Sequence, residues 1–105
     1  MKTLPSNATL QDYQALIKEL VVARGFDKET VSEVFTLLVE EVGELAKAIR
    51  KSNGQKYGEH SRQHEVEEEL ADVFWLLIDL ANRLEVDLAK AFKDKETINQ
   101  TRNYA

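Results

Sequence analysis

Helix-breaking residues are nearly absent from this chain of 105 residues, and their positions limit what it can fold into. Proline occurs once, at position 5, and glycine only at positions 25, 43, 54 and 58. Three of the four glycines fall where apolar periodicity breaks, so the stretches between them read as helices. A first helix is expected from about Thr9 to Arg24, with Thr9 as N-cap, Tyr13, Leu16, Ile17, Leu20 and Val21 facing inward, and Gly25 ending it. Thr30-Val31-Ser32-Glu33 fits a capping box that opens a second helix running to about Lys51. SNGQKYGEH, residues 52–60, reads as the one clear loop. Ser61 is expected to cap a third helix reaching about Leu84, and Asp87 a fourth from Leu88 through at least Lys95. The polar continuation KETINQTRNYA is expected to be helical only when docked. Connections this short favour antiparallel neighbours, and the fold class is all-α, a four-helix arrangement.

Residues 1–105 are expected to form a single domain, with 1–8 a flexible lead-in. Hydrophobic content of 43% and charged content of 31% fit a folded soluble chain rather than a disordered one. A chain this short buries only about 60–65% of its unfolded surface, so a core completed by oligomerisation is expected. There is no cysteine, which removes disulfides, thiolate catalysis and Cys-based zinc sites together. MKTLPSNATLQDYQ lacks the apolar core of a signal peptide, and the longest apolar run, Val73 to Ile78, is far short of a membrane span. A cytoplasmic location without membrane attachment follows as the expectation. The net charge of -5 argues against general nucleic-acid binding but not against a nucleotide, because a cation can bridge acidic side chains to phosphates.

The acidic residues are placed unusually. On a helical wheel with Leu38 at zero, Val31, Val34, Leu45 and Ile49 fall within about 40°. Glu41 falls at about -60°, inside the apolar arc, and Glu44 at about -120°. The third helix repeats this: with Val66 at zero, Leu70, Val73, Leu77, Leu80 and Leu84 form the stripe, and Glu69 and Asp72 fall at about -60° and -120°. Packed antiparallel by their stripes, the two helices would bring four carboxylates together. Glutamate is a strong helix former, and nineteen acids in 105 residues guarantee some i, i+3 pairs on solvated faces. Two matched pairs on inner flanks are a more specific arrangement. Like charges beside a core cost on the order of several kcal/mol, which a Lys or Arg partner, retained protons or a divalent cation would offset. Among cations, Mg²⁺ or Mn²⁺ suits an all-carboxylate oxygen set.

Glu40-Glu41-Val42-Gly43-Glu44 followed by Glu69-Leu70-Ala71-Asp72 resembles the EExxE…ExxD signature of the MazG-like all-α nucleoside triphosphate pyrophosphohydrolases. The flanks EEVGELAKAI and EELADVFWLLIDLANRL are similar too, and the likeness runs from about residue 10 to the C-terminus. The resemblance implies a MazG-like bundle and Mg²⁺-dependent hydrolysis of an NTP or dNTP to the monophosphate and pyrophosphate, with Mn²⁺ as a substitute cation. It implies Glu41, Glu44, Glu69 and Asp72 as metal ligands and Glu40 as the residue that activates the attacking water. Lys95-x-x-x-Asn99-x-x-Arg102 resembles the family's basic ending, in which these side chains face the phosphates. A homodimer or homotetramer and a role in nucleotide-pool house-cleaning are the corresponding expectations.

Other features carry less. Lys56 and Tyr57 are not expected to contact a ligand, and His60 and His64, four apart at a loop–helix junction, are expected to be solvated. Trp75 falls opposite its helix's core stripe and is expected at a subunit interface rather than stacked on a base; Asp79, two turns beyond Asp72, is expected to be an interface or surface acid rather than an aid to a metal. Within the same fold, phosphoribosyl-ATP pyrophosphohydrolase is the rival, but no histidine follows Ala71-Asp72-Val73-Phe74-Trp75-Leu76. A di-iron carboxylate bundle needs Glu-x-x-His pairs, and Tyr57 and Ser61 occupy the positions where those glutamates would stand. The alternative from another class is a non-enzymatic helical interaction module, its acids merely solvated.

Overall fold

Each helix begins where a side chain can take up its free N–H groups. In the computed structural model the described residues, 3–54 and 59–102, form four α-helices and no strand; of residues 59–63 the backbone alone is described. Helix α1 spans Leu10–Ala23, α2 Val31–Gly54, α3 Glu59–Arg83 and α4 Leu88–Gln100. At α1, Thr9 Oγ1 accepts from the Asp12 N–H at 3.2 Å while the Asp12 carboxylate accepts from the Thr9 N–H at 2.8 Å. Thr30 and Glu33 make the same reciprocal pair at α2, 3.0 and 3.1 Å, as the sequence predicts. Asp87 caps α4 by accepting from the Lys90 N–H at 3.1 Å.

Two boundaries differ from expectation. Helix α2 continues through Gly54 and α3 is already helical at Glu59, so residues 52–54, 59 and 60 belong to helices and Ser61 lies inside α3 rather than capping it. One glycine costs a helix only about 1 kcal/mol, less than the packing of two long helices returns. The expectations for Lys56 and Tyr57 fall outside the described residues. Helix α4 runs on to Gln100, past the point where its polar sequence loses a clear apolar stripe.

Helices α1 and α3 end alike. Phe26 N–H returns to the Val21 carbonyl at 2.8 Å and Gly25 N–H to Val22 at 3.1 Å, with Gly25 at φ 77°. Val86 N–H returns to Ala81 at 2.9 Å and Glu85 N–H to Asn82 at 3.1 Å, with Glu85 at φ 58°. Both are Schellman closures, whose left-handed residue is ordinarily glycine.

Helix α3 is the centre of the molecule: α2 packs along one side and α1 on another, while α4 packs principally on α1. Helices α2 and α3 run antiparallel. Arg83 at the end of α3 reaches the Phe26 and Glu29 carbonyls just before α2, Glu41 meets Glu69 and Asp72 midway, and Lys47 faces Glu65 farther along. Ile17, Val21 and Ile78 form the buried cluster between α1 and α3, with Leu10, Tyr13, Trp75 and Leu88 packed against it. Tyr13 meets Phe74 edge-on at 5.6 Å. Gln14 ties α1 to the α3–α4 turn, donating to Asn82 Oδ1 and the Val86 carbonyl, both at 2.9 Å, and accepting from the Leu88 N–H at 3.0 Å.

The apolar stripes are only partly covered. Val34 and Ala48 of α2 are buried, but Val31, Val42 and Ile49 are exposed, as are Leu70, Leu77 and Leu84 of α3. Among the described residues the buried positions of α3 are Ile78, Asp79 and Ala81, rotated from the expected stripe because α1 covers a face that a wheel for α3 alone assigns to the outside. Trp75 lies on that covered side, half-buried against the α1 cluster. The radius of gyration is 16.5 Å, against about 13 Å for a compact domain of this length. The accessible surface is 8095 Å², against about 6000 Å² for a monomer of 12.0 kDa. No helix among the described residues is long and apolar enough to cross a membrane.

The two closures make a paired prediction. A Cβ on Gly25 would meet nothing within 4 Å, so G25A carries only the left-handed backbone penalty and should lose about 1 kcal/mol of stability. E85G relieves the same penalty at the other closure and should gain up to about 1 kcal/mol, both read as shifts of the urea midpoint.

Candidate metal centre

Antiparallel packing of α2 on α3 sets Glu41 opposite Glu69 and Asp72. Each of these three offers a carboxylate oxygen, and the oxygens lie within 4.8 Å of one another. Glu41 and Glu69 are half-buried and Asp72 is exposed, so the group has a shielded floor and one open side. The Oε2 atom of Glu69 is buried and has no hydrogen-bond partner, a costly state for a carboxylate oxygen. The Glu41 carboxyl is pushed up from 4.5 to about 7. The main cause is a hydrogen bond shared with Glu69, followed by burial and the negative charge of Asp72. Of the three compensations open to such a cluster, a retained proton is the one available to the metal-free protein.

Of the expected ligands, Glu41, Glu69 and Asp72 come together, and Glu44 stands one turn along α2. Glu44 is exposed, adds repulsion at Glu41, and lines a polar depression of about 260 Å³ with Lys47, Ala48, Lys51, Glu65, Glu68 and Glu69. A second depression of about 260 Å³ opens on the other side of the cluster, lined by Arg24, Phe26, Glu41, Asp72, Trp75 and Leu76. Glu40 is exposed and lines neither. Lys95, Asn99 and Arg102 line neither depression. They lie along and just past α4, Lys95 and Arg102 exposed and Asn99 half-buried beside Glu96, to which its amide donates at 3.3 Å.

Two neighbours of the site escaped the sequence reading, and a third, Trp75, was expected elsewhere. Arg24 and Phe26 reach it because the α1 closure folds the chain back, and no spacing along a single helix signals that. Trp75 faces the site and the α1 cluster rather than an open outer face. His64 stands within α3, not at a loop junction, and pairs with Glu68 at 2.7 Å on the exposed surface. Asp79 is neither a surface acid nor a neighbour of the cluster: it is buried and paired with Arg83 at 2.9 Å, an i, i+4 spacing that could have suggested the pair.

A model of the MazG nucleotide pyrophosphohydrolase domain matches residues 29–101, which span the cluster and most of α4. The chain belongs to the MazG nucleotide pyrophosphohydrolase family. It is 35% identical to iMazG from Vibrio DAT 722, whose crystal structure superposes with a TM-score of 0.67 over 89% of this chain and 99% of that one. A second crystal structure of iMazG, with its tag at the other end, gives the same identity and TM-score over 92% and 99%. The chain is also 32% identical over 90 residues to "Uncharacterized protein YpjD" of Bacillus subtilis (strain 168), covering 82% of this chain and 78% of that protein. Membership of the MazG family and the all-α fold agree with the sequence resemblance.

The raised Glu41 value implies a pH dependence whose sign is fixed. Between about 4.5 and 7 the folded state holds a proton that the unfolded chain has released, so stability from this group is full below 4.5 and is lost as pH rises through 7. Glu33 and Asp87, held below the usual range chiefly by the Thr30 and Lys90 backbone N–H groups, act oppositely in acid. The difference between wild type and E41Q isolates the cluster. In EDTA, E41Q should gain in melting temperature relative to wild type between pH 5 and pH 8, and Mg²⁺ or Mn²⁺ should stabilise only the wild type at pH 8.

Proposed function

We propose that this protein hydrolyses a nucleoside or deoxynucleoside triphosphate to the monophosphate and pyrophosphate, with Mg²⁺ as cofactor and Mn²⁺ able to replace it. The observation that carries this is the convergence of Glu41, Glu69 and Asp72 around a buried, unsatisfied Glu69 oxygen. Among the described residues only oxygen donors converge there, which suits a hard divalent cation, and Glu44 would complete the set from the next turn. Bound there, the cation would neutralise the triphosphate and increase the acidity of a coordinated water.

The protein's own residues do the remaining work. Glu41, Glu69 and Asp72 orient the phosphates by holding their counter-charge on two helices whose relative position is set by packing. Glu40 takes the proton of the attacking water as the α–β phosphoanhydride bond breaks and pyrophosphate leaves. Lys95, Asn99 and Arg102 bind the outer phosphate oxygens, where cationic and amide donors are needed. Because α4 packs on α1 and these side chains line neither depression, we assign them to the site of a second copy in a homo-oligomer. The excess accessible surface of about 2000 Å² per chain exceeds the roughly 800 Å² that each partner gives to a standard interface and falls in the range of obligate homodimers. The protein acts as a single domain, in the cytoplasm, on the nucleotide pool.

Pyrophosphate release from a panel of canonical and modified NTPs and dNTPs tests this reading. Wild type should turn over at least one substrate with Mg²⁺ or Mn²⁺ and none in EDTA, and E41Q should lose on the order of 10²–10³-fold in kcat while remaining folded. Silence across the panel, with folding and oligomerisation indifferent to metal, would instead favour a non-enzymatic helical interaction module.

A mixing experiment tests the shared site. E41Q and a K95A/R102A variant should each be inactive. After exchange of subunits the mixture should regain roughly a quarter of wild-type activity, since half of random dimers carry one intact site. A mixture that exchanges but stays inactive would place both residue sets in one chain.

A further inference from the structure

Asp79 is the one charged side chain fully buried among the described residues, and the reaction outlined above does not use it. It lies two helical turns beyond Asp72, roughly 10 Å along the α3 axis. Its carboxylate accepts from Arg83 Nε at 2.9 Å, with the side chains 4% and 13% exposed. The guanidinium is also spent elsewhere: Nη2 donates to the Phe26 carbonyl at 2.7 Å and Nη1 to the Glu29 carbonyl. A buried ion pair is weak evidence for stability, because desolvation offsets its attraction. What this one supplies is geometry, three edges of a rigid planar group satisfied at once.

The two carbonyls belong to the connection between α1 and α2, which has no helix of its own to hold it. The closure bonds from the Gly25 and Phe26 N–H groups tie its start to α1, and beyond them Glu29 N–H to the Phe26 carbonyl at 3.2 Å closes a turn on an oxygen that Arg83 already holds. The same connection carries Arg24 and Phe26, which with Trp75 and Leu76 wall the depression beside Glu41 and Asp72. The Arg24 side chain has no ion-pair or hydrogen-bond partner among the described residues, so the α1 closure and Arg83, rather than a bond to the cluster, hold the wall.

We propose that Arg83, oriented by buried Asp79, is a positioning residue for the substrate: it clamps the Phe26 and Glu29 carbonyls and so fixes the Arg24–Phe26 wall against the carboxylate cluster. The clamp touches neither substrate nor metal, and it ties the α1–α2 connection to the helix that carries Glu69 and Asp72. Lysine at 83 keeps the charge but not the fork, so it would leave one or both carbonyls unheld. The proposal rests on the cluster being the hydrolytic site, and its test is built to fail separately.

Trp75 is the sole tryptophan and lines this wall, so its emission reports the wall's position without turnover. R83K and D79N, and R83M as a variant with no fork at all, should keep helix content while Trp75 emission shifts to the red and becomes more open to acrylamide. In turnover, KM should rise about tenfold with kcat within about twofold of wild type, the pattern of lost positioning in binding rather than lost chemistry. Lower melting temperatures with unchanged KM and unchanged Trp75 accessibility would make the pair merely structural and overturn the proposal. Absence of turnover in wild type would count against the hydrolytic reading alone, and the Trp75 measurement would still decide whether the clamp sets the wall.

Discussion

The packing of α2 against α3 holds together groups that repel one another, and the rest of the molecule is arranged around that tension. Glu41, Glu69 and Asp72 approach within 4.8 Å because the helices that carry them are fixed by apolar contacts on either side. Val34 of α2 is fully buried, stabilising by about 1.5–3 kcal/mol, and Ile78 on another side of α3 does the same against α1. Crowding three carboxylates at a half-buried position opposes this by a similar amount, on the order of several kcal/mol. A proton retained on Glu41 offsets part of that repulsion. A strained, charge-dense centre of this kind is what binding of a divalent cation relieves.

The same pair of helices leaves a good deal uncovered. Leu70, Leu77 and Leu84 on α3 and Val31, Val42 and Ile49 on α2 stay exposed although their periodicity marks them as core. An extended shape and an accessible surface well above that of a monomer of this mass have the same origin. Four helices of 13 to 25 residues give α3 two covered sides and no third. A second copy lying on the exposed stripes would bury them and bring a further α4 with its cationic residues, which joins the question of stability to that of the complete site.

Much of this was legible in the chain. Thr9, Thr30 and Asp87 announced the helix starts because capping depends on residues three apart, and Gly25 announced the α1 closure because a left-handed residue is required there. The convergence of Glu41 with Glu69 and Asp72 was legible because each pair lies at the same angle from its own stripe. Trp75 and Asp79 were misplaced for a shared reason. A wheel gives one helix one inside and one outside, whereas α3 has α2 on one side and α1 on another. Ser61 failed as a cap because a capping signal is local, while the length of α3 is set by its packing on α2.

The sequence by itself determined the helices, most of their ends, the angular placement of the carboxylates and, through EExxE and ExxD, the family. These depend on spacing within about one turn and survive in any context. Tertiary structure alone decided that Arg83 would reach back to the Phe26 and Glu29 carbonyls, that Arg24 and Phe26 would wall a depression beside Glu41 and Asp72, and that Glu69 would keep a buried oxygen without a partner. Each joins residues tens of positions apart, or depends on what another helix covers. Periodicity along one helix can say which face is apolar, but only the packed neighbours say which faces are buried, and that burial gives the carboxylates their chemistry.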